Sequence, residues 1–120
     1  MSFALRPHLR AGQVIPALPL ALDRERRWDE KHQRALVRYY VDAGAGGLAV
    51  GVHSTQFAIR DPEIALYAPV LKLAAGTVQQ WLGPKPRDFV LIAGLCGNTS
   101  QARREAQTAV GLGYHAGLLS

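Results

Sequence analysis

The sequence predicts an α/β fold built on a parallel sheet, and three observations carry that reading. Short apolar runs recur along the 120 residues at Val14–Leu20, Leu48–Val52, Phe89–Leu95 and Ala116–Leu119. Two of them, within Gly46–Gln56 and Val90–Ala102, reach glycine and then open into small polar residues. Between the runs lie segments whose apolar residues return every three or four positions. Continuously apolar strands alternating with amphipathic helices are the pattern of a parallel sheet covered by helices.

Residues 1–12 read as a polar lead-in. Val14–Leu22 is the first predicted strand, and Pro16 and Pro19 suit it to an edge. Trp28–Ala43 is the first predicted helix, with a stripe of Trp28, His32, Ala35, Leu36, Tyr39, Tyr40 and Ala43 ended by Gly44 and Gly46. Leu48–Val52 is too short and too apolar for anything but a buried strand. Asp61-Pro62-Glu63 reads as the next helix start, with a capping aspartate and a proline suited to the first turn. Pro69 is expected to kink or divide that helix. Its pattern resumes at Val70, Leu73, Ala74, Thr77, Val78 and Trp81, and Gly83-Pro84-Lys85-Pro86 is a loop. Phe89–Leu95 is the third strand. Thr99 or Ser100 caps the next helix, whose stripe is Ala102, Ala106, Ala109 and Val110 and which Gly111 and Gly113 close. The fourth strand runs to Leu119, one residue before the end.

The order is thus strand–helix repeated three times and a last strand. Two architectures fit. One is an open doubly wound sheet, complete at four strands, acting as a small non-catalytic binding or interaction domain. The other is half of an eight-stranded β/α barrel, which takes about 250 residues. In both, chemistry gathers at the C-terminal ends of the strands.

Composition narrows the classes. With 48% hydrophobic and 19% charged residues the chain is globular. The net charge of +5 comes mostly from arginines interleaved with acids, such as Arg24, Arg26 and Arg27 among Glu25, Asp29 and Glu30. That is mixed charge on solvated faces, without the basic stripe and aromatics of a nucleic-acid surface. No run approaches a membrane span. The prolines, and the lack of a cleavage site, argue against a signal peptide. The single Cys96 excludes an internal disulfide and fits a reducing cytoplasm.

His53, Ser54, Thr55 and Gln56 follow the second strand. Hydroxyls, an amide and freed backbone N–H groups there can hold a carboxylate, and an imidazole can move protons. The same residues also fit a polar loop whose hydroxyls satisfy its own backbone. Gly94–Ser100 joins a strand to a helix start and is neither a dinucleotide fingerprint nor a Walker loop. Cys96 reads as a small apolar residue rather than a nucleophile. None of His8, His32, His53 and His115 pairs with another ligand at metal-binding spacing, so no metal is expected. His32 reads as helix packing.

At the second and third strands the chain resembles the dihydrodipicolinate synthase and N-acetylneuraminate lyase family, class I aldolases built as (β/α)8 TIM barrels. The resemblance runs from about Gly12 to Ser120. The third strand, Val90-Leu91-Ile92-Ala93-Gly94-Leu95-Cys96-Gly97-Asn98-Thr99, is similar to the family's Val-Ile-Ala-Gly-x-Gly-x-Asn-x-Thr. The second departs, with Val52-His53-Ser54-Thr55-Gln56 in place of Gly-Thr-Thr-Gly-Glu. The family's threonine pair binds the keto-acid carboxylate and relays protons. The resemblance therefore implies carboxylate binding by Ser54, with Thr55 beside it, and a relay by His53 in altered form. It implies a pyruvate-type 2-keto acid as small-molecule partner, aldol cleavage or condensation through a lysine Schiff base, and no cofactor. It also implies that 1–120 is a single incomplete barrel domain, the N-terminal half with the first four strands. The family's Schiff-base lysine and catalytic tyrosine stand on later strands, so this chain alone is expected to be inactive. Its uncovered strand edges are expected to promote self-association.

Overall fold

The computed structural model describes residues 3–120. Three strands, β1 (Gly47–Val50), β2 (Val90–Leu95) and β3 (Ala116–Leu119), form a parallel sheet in the order β1-β2-β3. Gly47 lies opposite Val90, and Ile92 opposite Ala116. Four helices accompany them: α1 (Leu5–Arg10), α2 (Glu30–Asp42), α3 (Tyr67–Leu82) and α4 (Thr99–Gly111). Sequential order and parallel pairing are what β/α crossovers produce. Leu48 and Val50 of β1 and Leu91 and Ala93 of β2 join one core with Val37 and Val41 of α2, Val70, Leu71, Ala74 and Val78 of α3, and Ala109 of α4. Tyr114 enters that core from the turn before β3, and its hydroxyl donates to the Leu71 carbonyl at 2.8 Å.

The first predicted strand is not a strand. Residues 13–22 run alongside β1 but pair with it through one bridge, Ala17 with Ala49. The Pro16 carbonyl accepts from Ala49 N–H at 3.0 Å and Leu18 N–H donates to the Ala49 carbonyl at 2.9 Å. Pro16 has no N–H with which to extend the ladder backwards. Ahead of the bridge a threonine hydroxyl stands in the gap, as described below. The lead-in also holds a helix that the sequence reading lacked. In α1, Pro7 sits in the first turn, where a missing N–H costs nothing. His8 Nε2 lies 2.8 Å from the Gly46 carbonyl.

The buried face of α2 is Gln33, Val37 and Val41, one position round from the expected stripe. His32 is exposed rather than packed, with Nδ1 2.6 Å from Asp29 Oδ2. Asp29 caps the helix through His32 N–H, which with the ring contact holds its carboxyl below the usual range. Residues 61–66 are turn rather than helix, and Ala65 takes φ +50°. Since α3 starts only at Tyr67, Pro69 falls in its first turn and does not kink it. The cap of α4 is Asn98, which accepts from Gln101 N–H at 2.9 Å, instead of Thr99 or Ser100. The buried residues of α4 are Glu105 and Ala109, whereas Val110 is 74% exposed. No helix among the described residues is long and apolar enough to cross a membrane.

Candidate functional site

The sheet delivers two loops to its C-terminal rim, 51–56 after β1 and 96–98 after β2. A glycine that the geometry requires stands at or just before the root of each. Gly51 has φ +81°, which side chains rarely tolerate. A Cβ on Gly94 would overlap the Gly51 carbonyl, so β1 and β2 approach this closely only because residue 94 has no side chain. The two loops are therefore neighbours.

In the first loop a short 3₁₀ turn, His53–Thr55, buries its last residue and leaves the first two exposed. His53 and Ser54 are exposed, as is Gln56 at φ +78°. The His53 ring meets Phe57 edge-on, with centroids 5.5 Å apart. Thr55 is fully buried. Its hydroxyl accepts from Gly51 N–H at 3.1 Å and donates to the Leu18 carbonyl at 2.6 Å. Those two backbone groups would bond to each other if the ladder between β1 and residues 13–22 continued. The Thr55 hydroxyl takes the place of that bond and ends the pairing. Of the two readings of this polar loop, the self-satisfying one describes Thr55, while His53 and Ser54 face solvent together.

The second loop carries Cys96, half-buried, then Gly97 at φ +90° and the exposed Asn98. Burial pushes the Cys96 thiol up, away from thiolate, which agrees with the small apolar reading. None of the three lysines reaches the rim. Lys31 lies in the first turn of α2, Lys72 on α3 and Lys85 in the loop ahead of β2, and all are exposed. No group of three or more His, Cys, Asp or Glu that could hold a metal occurs among the described residues.

Directly behind the rim lies a cluster that sequence reading missed. Arg60 Nε donates to both oxygens of Glu105 at 3.0 and 3.1 Å, and both side chains are almost wholly buried. Arg60 Nη2 donates to the Gly51 carbonyl at 2.8 Å and the Gly94 carbonyl at 3.0 Å. The guanidinium lies 5.5 Å from the Phe57 ring centroid and 4.6 Å from that of Tyr67. The Tyr67 hydroxyl also donates to the Gly94 carbonyl, at 2.7 Å, and burial raises its pKa. Glu105 accepts further from Cys96 N–H at 3.1 Å and from the Gln101 amide at 2.8 Å. Arg60 and Glu105 are 45 residues apart and each sits in a charged local sequence, so nothing short-range marks the pair. The one available signal was a charge on the inner stripe of α4, three residues after Ala102 and four before Ala109.

No family model matches the sequence, and no curated protein matches it. Solved structures do. N-acetylneuraminate lyase from Fusobacterium nucleatum superposes with a TM-score of 0.72 at 21% identity, over 89% of this chain and 34% of that one. Dihydrodipicolinate synthase from Aquifex aeolicus gives 0.74 at 20% identity, over 89% and 33%. A dihydrodipicolinic acid synthase family protein of E. coli K12, solved in complex with pyruvate, gives 0.66 at 18% identity, over 89% and 33%. The chain spans about a third of the length of the structures it matches. Its structural neighbours are thus N-acetylneuraminate lyases and dihydrodipicolinate synthases, and its fold is that of part of their TIM barrel.

Proposed function

We propose that this chain is the N-terminal half of a dihydrodipicolinate synthase-like aldolase barrel, and that its rim binds the carboxylate of a pyruvate-type 2-keto acid. The observation that carries the reading is the exposure of His53 and Ser54 after β1 and of Gly97 and Asn98 after β2, at the C-terminal ends of adjacent parallel strands. Ser54 donates its hydroxyl to the carboxylate, and His53 is within the same turn to accept or return a proton. Thr55 serves by holding the turn rather than by touching substrate. The pyruvate bound to the E. coli family protein supports the ligand class.

Imine chemistry needs an amine held beside the bound carbonyl with a depressed pKa. Lys31, Lys72 and Lys85 stand on α2, on α3 and in the loop ahead of β2 rather than in the rim loops, so the chain alone binds without turning over. The parent reaction, aldol cleavage or condensation through a lysine imine, requires the other strands of the barrel. The open β3 edge makes self-association the accompanying expectation.

The test is an amide NMR titration with pyruvate, run beside borohydride trapping and intact-mass measurement. Shifts at Ser54 and Asn98 without a covalent adduct are expected. Replacing Ser54 by Ala should weaken binding by about 1 kcal/mol or more. A stoichiometric pyruvyl adduct on Lys31, Lys72 or Lys85 would overturn the inactivity. Absence of any rim shift at millimolar pyruvate would favour a non-catalytic interaction domain.

A further inference from the structure

We propose that Arg60 and Glu105 are a positioning pair for the rim, fixing the separation and orientation of the 51–56 and 96–98 loops. As far as ligand affinity is concerned, this rests on the keto-acid reading above. Three backbone groups at the root of the two loops all bond to this one pair: the carbonyls of Gly51 and Gly94 to Arg60 Nη2, and Cys96 N–H to Glu105 Oε1. Gly51 opens the loop that carries His53 and Ser54. Gly94 and Cys96 flank the point where β2 turns into the loop that carries Asn98. A guanidinium has its donors in one rigid plane, so a single Arg60 that bonds both carbonyls sets the distance between them. The Phe57 and Tyr67 rings pack within 5.5 and 4.6 Å of its central carbon.

Two features argue that the pair is there for geometry rather than for stability. A buried ion pair gains little over apolar residues of similar volume, because both charges lose their hydration. Arg60 Nη1 is also buried and has no hydrogen-bond partner among the described residues. A core selected for stability alone does not leave a charged donor unsatisfied. The pair also accounts for a charge on the inward stripe of α4, where Ala109 is the next buried residue.

The deciding experiment compares wild type with the double variant Arg60→Leu/Glu105→Leu, and with Arg60→Lys. Three readouts are followed: thermal midpoint, amide hydrogen exchange at His53, Ser54, Gly97 and Asn98, and pyruvate affinity by NMR. None of those four residues bonds to the pair, so a purely local loss would not move them. The double variant is expected to unfold several degrees below wild type but to stay folded: the two charges leave together, while the Gly51 and Gly94 carbonyls and Cys96 N–H lose their partners. Its rim amides are expected to exchange about tenfold faster or more, and its pyruvate affinity to fall about tenfold with the loops' alignment. Arg60→Lys keeps the charge opposite Glu105 but lacks the planar fork, so it should loosen the rim in the same direction. It decides the matter if the double variant does not fold. Unchanged exchange at all four rim amides in a folded variant overturns the proposal. If wild type binds no pyruvate, the keto-acid reading fails by itself, and the exchange comparison still decides whether the pair positions the loops.

Discussion

The two edges of the sheet are built differently. On the β1 side, residues 13–22 lie along the strand, and their polar backbone groups are answered from outside the sheet. Gln33 of α2, fully buried, donates its amide to the Pro19 carbonyl at 2.8 Å and accepts from Ala21 N–H at 2.9 Å. It also accepts from Trp28 Nε1 at 3.1 Å. Pro19 has no N–H to leave free. One side-chain amide and one imino acid thus do the work of a partner strand. On the other side, β3 is an edge with nothing beyond it among the described residues. Leu118 and Leu119 are 52% and 72% exposed, and Val110 of α4 is 74% exposed. An edge is closed by satisfying its backbone groups, and apolar side chains alone do not achieve that.

Substituting Gln33→Leu tests the first edge most severely. Three part-buried hydrogen bonds disappear while their partners, two backbone groups and the Trp28 indole N–H, stay in place, so a loss of about 3 kcal/mol or more is expected from urea unfolding. If the loss stays below about 1 kcal/mol, water already serves those groups and the closed-edge description is wrong.

Thr55→Val should cost less, about 2 kcal/mol, because it strands Gly51 N–H and the Leu18 carbonyl while keeping the shape. A near-neutral result would mean that the two groups had met directly and lengthened the ladder. That outcome would remove Thr55's part in ending the pairing.

The open edge is probed by Leu119→Lys. A charge on an edge strand opposes pairing with another chain. Light scattering at tens of micromolar is expected to show the wild type associated and the variant monomeric, with stability changed by no more than about 0.5 kcal/mol. A monodisperse wild type under the same conditions would sink the self-association proposal.

The smallest effect concerns how β3 is attached. His115, just ahead of it, takes hold of Leu91 twice: backbone N–H to carbonyl at 2.8 Å, and ring Nδ1 accepting Leu91 N–H at 2.9 Å. Burial lowers the His115 pKa from 6.5. The unfolded chain therefore binds the proton more readily than the folded one. The contribution is whole above pH of about 6.5 and is lost as pH falls from there through the lower folded-state value. Urea midpoints measured at pH 7 and pH 5 should converge in His115→Asn, which keeps an acceptor without the titration. An unchanged wild-type slope in that variant would assign the acid sensitivity elsewhere.

Local chemistry decided a definite part of this molecule. Continuous apolar runs made β1, β2 and β3 legible; in β1 and β2 the run reflects burial on both faces, whereas β3 carries the same run with Gly117, Leu118 and Leu119 exposed. Gly44 at φ +94° ended α2 where the pattern stopped. The polar residues after β1 pointed to the rim, and His53 and Ser54 are exposed there. Tertiary structure decided what depends on partners distant in sequence. Whether residues 13–22 became a strand turned on Thr55 and Gln33, whose side chains reach 37 and 14 residues back along the chain. Whether a hydroxyl met solvent or backbone depended on the phase of one 3₁₀ turn, which periodicity does not fix. Arg60 and Glu105 look like solvated charges in sequence, and only the close approach of Gly51 and Gly94 makes their burial favourable, because it sets two carbonyls where one guanidinium answers both.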